Sequence, residues 1–297
     1  MRSYKMTNGT IRLLSKISKR IYGFRFVQNQ MLKDRSSKMV DVNHGIKLRF
    51  TTGDLISNYI YHFKTWEPSI TDYLIRNLNE LNGRSFVDIG ANIGYFSILV
   101  AKNNPNCKVY SFEPTPSIFK QLEENLRLNK LSNVSTNQVA LSNHEGNLRL
   151  YPGHPMNSGS TGIFRNEESS EAFSVTSSLL HKEVVKMPFA PRILKIDTEG
   201  SESEILSHLR QLLELLPADV EFIVEINPEL IGLEKANDII RQFEDLNFNS
   251  FQIKNSYELE FYLTKRDKDH QVSELTGPLE SQADILFTRR SLEEISD

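Results

Sequence analysis

The sequence predicts an α/β protein built on an open, doubly wound sheet. Short apolar strands alternate with helical segments from Arg84 onward, a pattern that specifies parallel strands joined by crossover helices. The chain has 297 residues, of which 39% are hydrophobic and 25% are charged. That length and composition suit one sizeable core with a small accessory module.

The residues before the sheet are predicted to form an extension of three parts. Apolar residues recur at helical spacing over residues 10–24, with lysines and arginines on the other face, which predicts a basic amphipathic helix. Alternation on either side of Gly45 predicts a β-hairpin over residues 40–50. A helix then begins at Pro68 and runs to about Leu81.

The sheet itself is predicted from buried strands and the helices between them. The strands are residues 85–89, 109–112, 134–140, 192–197 and 220–226, and the helices are residues 94–102, 116–129 and 202–216. Residues 248–253 and 285–288 are predicted as a closing pair of strands, the last of which can be antiparallel. Residues 147–186 are less regular and predict a partly β insertion over the site, with a decorated crossover as the alternative.

Composition excludes several classes of protein. The longest apolar run, residues 95–101, is too short to span a bilayer, which needs about 18 residues. The single cysteine, Cys107, excludes a disulfide framework and a Cys-rich zinc site. Lysines and arginines interrupt any hydrophobic core of a secretory signal. We therefore expect a cytoplasmic protein.

Charge is unevenly distributed along the chain. Residues 1–38 hold ten Lys/Arg and one acidic residue, a charge of +9, so the remaining residues carry −12 to give the net charge of −3. An acidic body repels a nucleic-acid backbone, which excludes a nucleic-acid partner outside the basic segment. The basic helix over residues 10–24 can pack on its own body, lie on an anionic membrane surface, dock a partner or act as an organelle address.

A strand, a glycine turn and a helix start follow one another in residues 86–96, FVDIGANIGYF. Gly90 permits a tight turn, and Gly94 lets the helix begin close to the strand. No glycine stands two positions after Gly90 to admit a pyrophosphate, which disfavours a nicotinamide oxidoreductase. Asp88 would repel a diphosphate and suits a cationic ligand such as S-adenosylmethionine, whose carboxylate can rest on the amides at the helix start. Capping of the turn is the alternative for Asp88.

A second acidic residue, Glu113, ends the next strand. It lies 25 residues after Asp88, where a carboxylate can accept hydrogen bonds from both hydroxyls of a ribose. Pro114 cannot continue the strand, so the carboxylate stays at the carboxyl edge. Upstream, Trp66 could wall the pocket and Glu67 could bind an amino group of the cofactor, with core packing and helix capping as the alternatives.

A further chemical centre is the segment KIDTEG, residues 195–200. Asp197 should emerge at the carboxyl edge of its strand, with Glu199 two residues later. A carboxylate within hydrogen-bond reach can take the proton of a hydroxyl nucleophile, so Asp197 is the first candidate for the catalytic base and Glu199 the second. In one alternative, Asp197 caps the next helix while Glu199 pairs with Lys195. In another, Glu225 joins the two acids around magnesium, but nothing in the spacing requires a metal and none is assigned.

Five motifs occur in a fixed order: VDIGANIGYFSILVA, YSFEP, ENLRLNKLSNV, VALSNHEG and LKIDTEGSESEIL. With YHFKTWEPSIT upstream and ADILFTRR near the end, they resemble the FkbM family of class I S-adenosylmethionine-dependent methyltransferases over roughly residues 39–290. The resemblance implies a seven-stranded Rossmann-like methyltransferase sheet and O-methylation of sugars or other natural-product scaffolds. Residues 177–181, SSLLH, depart from the TLDD usual in the family, so the role of that acidic pair is not carried over.

Carried over residue by residue, the resemblance implies a cofactor site. It places Asp88, Gly90, Asn92 and Gly94 around the methionine end of S-adenosylmethionine, Glu113 on the ribose and Ala140 beside the adenine. Asn92 could donate to the cofactor carboxylate, with capping of the helix as the alternative. Ala140 is small enough to leave room for a flat base.

The sequence therefore predicts an S-adenosylmethionine-dependent O-methyltransferase with a small-molecule or glycan acceptor. That the acceptor is a saccharide, a glycolipid or a natural product follows from the resemblance. The alternative is a non-catalytic binding module that docks to a membrane surface or a glycan-assembly enzyme through residues 10–24. The chain is divided into a basic segment 1–38, a hairpin and helix extension 39–82, a methyltransferase domain 83–290 and a tail 291–297.

Overall fold

The computed structural model describes residues 36–53, 55–151, 172–256, 261–262 and 272–296. Within these ranges the chain forms an eight-stranded sheet, a two-stranded hairpin and a three-stranded sheet. No helix in them is long and apolar enough to cross a membrane. The predicted basic helix over residues 10–24, and residues 152–171 of the predicted insertion, lie outside the described residues. Membrane contact through residues 10–24 therefore stays a prediction.

The elements have the following bounds. The strands are β1 Ser37–Asp41, β2 Lys47–Thr51, β3 Ser85–Ile89, β4 Lys108–Phe112, β5 Val134–Asn137, β6 Ala140–Leu141, β7 Gly146–Leu150, β8 Phe173–Ser178, β9 Pro191–Ile196, β10 Glu221–Ile226, β11 Asn249–Ile253, β12 Val272–Glu274 and β13 Ala283–Thr288. The helices are α1 Leu55–Phe63, α2 Pro68–Arg76, α3 Tyr95–Asn103, α4 Pro116–Leu128, α5 Leu180–Val185, α6 Glu202–Ile205, α7 Leu209–Leu213, α8 Pro228–Ile231, α9 Leu233–Glu244 and α10 Leu292–Ser296. Short 3-10 turns occupy Asn43–Gly45, Leu78–Leu81 and Leu206–His208.

The large sheet confirms the predicted doubly wound α/β fold. In the described residues its strand order is β12-β11-β13-β10-β9-β3-β4-β5. Strands β3, β4, β5, β9 and β10 are parallel, and β13 is antiparallel to both of its neighbours. Seven strands make the sheet that the resemblance implies, and β12 is added at one edge. The order switches between β3 and β9, and open α/β sheets bind ligands at the carboxyl ends of strands beside such a switch.

Hydrophobic clusters cover both faces of this sheet. One face packs against α1, α2 and α3 through Phe86, Ile193, Ile223 and Leu286. The other packs against α7, α8 and α9 through Val87, Leu194, Phe222 and Phe287. Burial of one such side chain stabilises the fold by about 1.5–3 kcal/mol. The central strands are therefore held from both sides, and their carboxyl ends form a fixed platform.

The predicted hairpin is present and is attached to the sheet by α4. Strands β1 and β2 pair antiparallel around the turn Asn43–Gly45. Asn125 Oδ1 accepts the Arg49 N–H at 2.7 Å, and Asn129 Oδ1 accepts the Lys47 N–H at 2.9 Å. These two side chains satisfy backbone donors that an edge strand would otherwise present to solvent.

The strand predicted over residues 134–140 divides into two. Strand β5 ends at Asn137, and β6 pairs with β8 in the small sheet instead. The neighbour of β5 is β4, which ends at Phe112, and Pro114 has no N–H with which to extend the ladder. The chain therefore leaves the large sheet after Asn137, and Ala140 lies over its carboxyl edge.

The predicted helices differ from the observed ones in three places. Residues 202–216 form α6, the 3-10 turn Leu206–His208 and α7, because His208 has a non-helical backbone, with φ −111° and ψ 32°, that interrupts the helix. The helix predicted over residues 68–81 ends at Arg76 and continues as the 3-10 turn Leu78–Leu81. The residues predicted as a tail contain α10, and its Ile295 is buried.

Candidate active site

A cavity of about 310 Å³ lies at the carboxyl ends of β3, β4, β9 and β10. Its volume is at the lower end of the roughly 300–1,000 Å³ typical of small-molecule sites. Seven residues predicted for the site line it, namely Glu67, Gly90, Asn92, Glu113, Ala140, Asp197 and Glu199. The other two predicted residues, Asp88 and Gly94, lie behind its wall.

The two glycines of the first motif allow close packing beneath the cavity. Gly90 has φ +81°, and a Cβ built on it would lie 1.8 Å from the backbone oxygen of Asp197. Gly94 has φ +91°, and a Cβ there would lie 2.5 Å from Leu122 Cδ1. The close approach that requires Gly90 is therefore made by the chain's own backbone.

Asp88 forms a buried polar group under the turn. The Ser97 hydroxyl donates to Asp88 Oδ2 at 2.6 Å, and Ser97 Oγ lies 2.7 Å from Ser111 Oγ. Burial raises the pKa of Asp88, while its register partner Lys195 opposes that shift. Asp88 supports the turn from below, and its predicted contact with the cofactor stays a prediction.

Glu113 occupies the strand end that the sequence predicts. Its Oε1 accepts the Thr115 N–H at 2.8 Å, and its Oε2 accepts the Asn92 N–H at 3.1 Å. Burial raises the pKa of Glu113 to about 6, although both backbone bonds lower it. Asn92 is left-handed, with φ +49°, and its side-chain oxygen accepts the Ile93 N–H at 2.7 Å. This bond is local to the turn: α3 begins at Tyr95 after Gly94 and has no side-chain capping bond, so capping of the helix by Asn92 is not observed.

An apolar wall lies beside Glu113. It is formed by Ile118, Val139, Ala140, Leu141, Leu148 and Leu150. Most of these side chains come from β6 and β7 of the small sheet, which the break after Asn137 brings over the large one. The wall and the carboxylate together can take a flat aromatic base and the polar group attached to it.

Lys195 lies at the centre of the other half of the cavity. Its Nζ donates to Asp197 Oδ2 at 2.7 Å, lies 3.8 Å from Glu67 Oε2 and is 4.8 Å from the centre of the Phe96 ring. Burial alone would lower the pKa of Lys195, but Asp197, Glu67 and Asp88 raise it above its ordinary value. The lysine is therefore an ammonium bound to carboxylates.

Glu199 lies on a strained turn beside this ion pair. It has φ +55°, and burial, followed by the charges of Asp197 and Glu202, raises the pKa of Glu199 to about 7. Glu202 shapes the turn, because its Oε1 accepts the Thr198 N–H at 2.9 Å, the Thr198 hydroxyl at 2.8 Å and the Gly200 N–H at 3.2 Å. A carboxyl that titrates near neutral pH can accept or return a proton.

Glu225 on β10 and Gln282 before β13 line the cavity, and a second polar pair, Asn255 and Asp284, lies outside its lining. Gln282 donates to Glu225 Oε1 at 2.5 Å, and Asn255 donates to Asp284 Oδ2 at 3.1 Å. Burial, followed by the charges of Asp197 and Asp284, raises the pKa of Glu225 well above its ordinary value. Burial also raises the pKa of Asp284, to about 6.

Sequence reasoning did not assign Lys195, Glu202, Gln282 or Asp284 to the site. For Lys195 and Asp284 the available signal was a charged residue inside a strand buried on both faces, as in RILKI and ADILFT. Glu202 lies on a helix and Gln282 before a strand, so this signal does not mark them. In the described ranges, no group of three or more His, Cys, Asp or Glu residues is arranged to hold a metal ion. The magnesium alternative for Asp197, Glu199 and Glu225 therefore has no geometric support in those ranges.

The fold is an open α/β sheet with a cavity at the carboxyl ends of its strands, and comparison with known proteins identifies the family. A family model described as the methyltransferase FkbM domain matches residues 88–250. The chain belongs to the FkbM methyltransferase family, which confirms the resemblance.

Two curated relatives are similar over part of their length. Methyltransferase 1 from Beauveria bassiana is 28% identical over 142 residues, which are 41% of this chain and 57% of that protein. Methyltransferase sdnD from Sordaria araneosa is 31% identical over 171 residues, which are 48% of this chain and 66% of that protein. The chain thus spans somewhat less than two thirds of each. Among solved structures, an O-methyltransferase from Bacillus cereus in complex with SAH has 12% identity and a TM-score of 0.43, covering 75% of this chain and 82% of that one.

Proposed function

We propose that this chain is an S-adenosylmethionine-dependent O-methyltransferase whose acceptor is a hydroxyl of a saccharide, a glycolipid or another natural product. The supporting observation is one cavity that joins Glu113 and an apolar wall, on the β4 side, to Asp197 and Glu199, on the β9 side. Membership of the FkbM family supports the cofactor and the class of reaction. A cytoplasmic location is part of the same proposal.

The residues on the β4 side fit the cofactor chemically. A carboxylate has about four acceptor positions, and Glu113 uses two for backbone N–H groups, which leaves capacity for the ribose hydroxyls. Ala140 would lie beside the adenine. Asn92 would border the methionine end, and Glu67 would face the amino group. When bound, S-adenosylmethionine supplies an electrophilic methyl group on a cationic sulfur.

Between the two candidates for the base, the geometry favours Glu199. One oxygen of Asp197 accepts a hydrogen bond from the Lys195 ammonium at 2.7 Å, which occupies that oxygen. Glu199 has a pKa raised to about 7 and lines the same cavity. A base is most effective when its pKa lies near the working pH. Glu199 would take the proton of the acceptor hydroxyl while Asp197 helps to orient that hydroxyl.

Two measurements test this proposal. Titration calorimetry with S-adenosylhomocysteine should show binding. Incubation with methyl-labelled S-adenosylmethionine and a panel of glycans, glycolipids and natural products, followed by product mass, should show the label on an oxygen. Binding without transfer to any acceptor would favour the non-catalytic module, and absence of binding would overturn the proposal.

A further inference from the structure

Lys195 carries a buried positive charge in the active-site cavity. Its side chain is only 3% exposed, and its strand is buried on both faces. Transfer of an ammonium into such a place costs several kcal/mol unless carboxylates and hydrogen bonds compensate. A lysine here therefore needs a defined set of partners.

Those partners come from three different elements. Asp197 lies two residues after Lys195 on the chain, and its Oδ2 accepts a hydrogen bond from the ammonium at 2.7 Å. Glu67 precedes α2 and lies 3.8 Å away. The Phe96 ring on α3 lies 4.8 Å from the ammonium. Contacts from three directions fix the ammonium, and the ammonium in turn fixes the two carboxylates.

We propose that Lys195 is a positioning residue that orients Asp197 and Glu67 beside Glu199, where the acceptor hydroxyl loses its proton. This inference rests on the proposed function, because it assigns Lys195 an effect on the base of that reaction. Lys195 acts through Glu199 and Asp197 and does not itself accept the proton.

The acid cluster is drawn from every element around the ammonium. It comprises Glu67 before α2, Asp88 on β3, Asp197 and Glu199 after β9, Glu202 on α6, Glu225 on β10 and Asp284 on β13. Burial raises the pKa of Asp88, Glu199 and Asp284, and Lys195 lowers each of the three. Loss of the ammonium should therefore raise the pKa values of all three carboxyl groups, so that part of the cluster takes up protons.

The test is the titration of Glu199 in the ligand-free protein. Carboxyl-labelled glutamate is followed by ¹³C NMR, and the Glu199 signal is assigned by its loss in Glu199→Gln. In Lys195→Met the titration midpoint of Glu199 should rise by about one pH unit. Lys195→Arg keeps the positive charge and should leave the Glu199 midpoint unchanged. The matched control is Lys182→Met, which removes an exposed lysine paired with Glu145 and should not move the midpoint.

Removal of Lys195 alone leaves buried carboxylates uncompensated, which can prevent folding. The comparison is therefore repeated between Asp197→Asn and the double variant Lys195→Met/Asp197→Asn, where the ion pair is removed as a unit. A higher Glu199 midpoint in the double variant supports the proposal, and an equal midpoint in the two folded variants overturns it. The titration needs neither cofactor nor acceptor, so failure to methylate any acceptor would count against the proposed function and not against this result.

Discussion

The backbone oxygen of Asp197 lies 1.8 Å from the point where a side chain on Gly90 would begin. In the same place the Asp197 N–H donates to the Ile89 oxygen at 3.0 Å. The turn after β3 and the end of β9 are therefore in direct backbone contact. Because one borders the proposed cofactor region and the other carries the catalytic candidates, this contact sets the distance between the two halves of the site.

We expect Gly90→Ala to lower the free energy of unfolding by at least about 3 kcal/mol, because overlap with a backbone oxygen adds to the strain of a left-handed alanine. Gly83→Ala is the matched control, since Gly83 has φ +69° and no atom lies within 4 Å of the point that its Cβ would occupy. It should cost only about 1–2 kcal/mol. Urea unfolding measures both, and equal losses would contradict the contact.

Glu199→Gln should lower kcat by at least about 100-fold, because a positioned base contributes that much or more. In the wild type, kcat/KM should rise with pH through about 7, where Glu199 loses its proton. Asp197→Asn should move this rise to lower pH, because the Asp197 charge raises the pKa of Glu199. The pH dependence of kcat/KM, measured for the wild type and both variants, identifies the base. If the rise with pH is lost only in Asp197→Asn, the base is Asp197.

The affinity for S-adenosylhomocysteine should increase as pH rises through about 6, the raised pKa of Glu113. Hydroxyl donors favour the ionised carboxylate, so the bound form has the lower pKa and binding releases a proton below that pH. Glu113→Gln should weaken binding about tenfold or more and remove the pH dependence. Calorimetry from pH 5 to 8 checks this, with the exposed Glu123→Gln as the control. Affinity that falls with rising pH would exclude Glu113 as the responsible group.

Glu221 should matter for stability and not for binding. It lies at the end of the sheet opposite the cavity, where Tyr73 and Thr288 donate to it at 2.8 Å and Arg290 at 2.7 Å. Glu221→Gln breaks a buried ionic network and should cost about 3–5 kcal/mol. Glu80→Gln, which removes only an exposed partner of Arg192, should cost less than about 1 kcal/mol. Thermal unfolding compares the two, and a large loss of cofactor affinity in Glu221→Gln would contradict this assignment.

Stability should depend on pH through the same acids that form the site. The pKa of Glu199 is about 7 in the folded chain, against an ordinary value of 4.5. The folded state therefore holds a proton that the unfolded chain has lost between these values, and stability falls as pH rises through that window. In Glu199→Gln the free energy of unfolding should decrease less with rising pH. Chemical unfolding at pH 5, 6, 7 and 8 measures it, and an unchanged slope in the variant would show that Glu199 ionises normally.

The sheet could be predicted because its strands are local signals. Residues 85–89 form a continuous apolar run that ends at a glycine turn, and β3 has those same bounds. The division of the strand over residues 134–140 could not be predicted in the same way, because it depends on where the neighbouring strand β4 ends. The 3-10 turn Leu206–His208 also depends on the core against which it packs, whereas the sequence there is compatible with one continuous helix.

The positions of the acidic residues at the carboxyl edge could be predicted one by one, but the ion pairs that they form could not. Asp197 and Glu113 each follow a strand, so their positions follow from local sequence. Whether Lys195 pairs with Glu199 or with Asp197 depends on side-chain directions and on Glu67, which comes from another helix. The structure gives the pair Lys195–Asp197, and this leaves Glu199 with a different environment from the one that its sequence position indicates.

The small sheet beside the cavity holds both ends of the connection between β7 and β8. Leu150 and Phe173 face each other across antiparallel strands β7 and β8, so the chain departs and returns at adjoining points. A connection whose ends are held together can vary in length at a small entropic cost. The number of residues between Leu150 and Phe173 can therefore change at little cost in stability while Leu148 and Leu150 keep their places in the cavity wall.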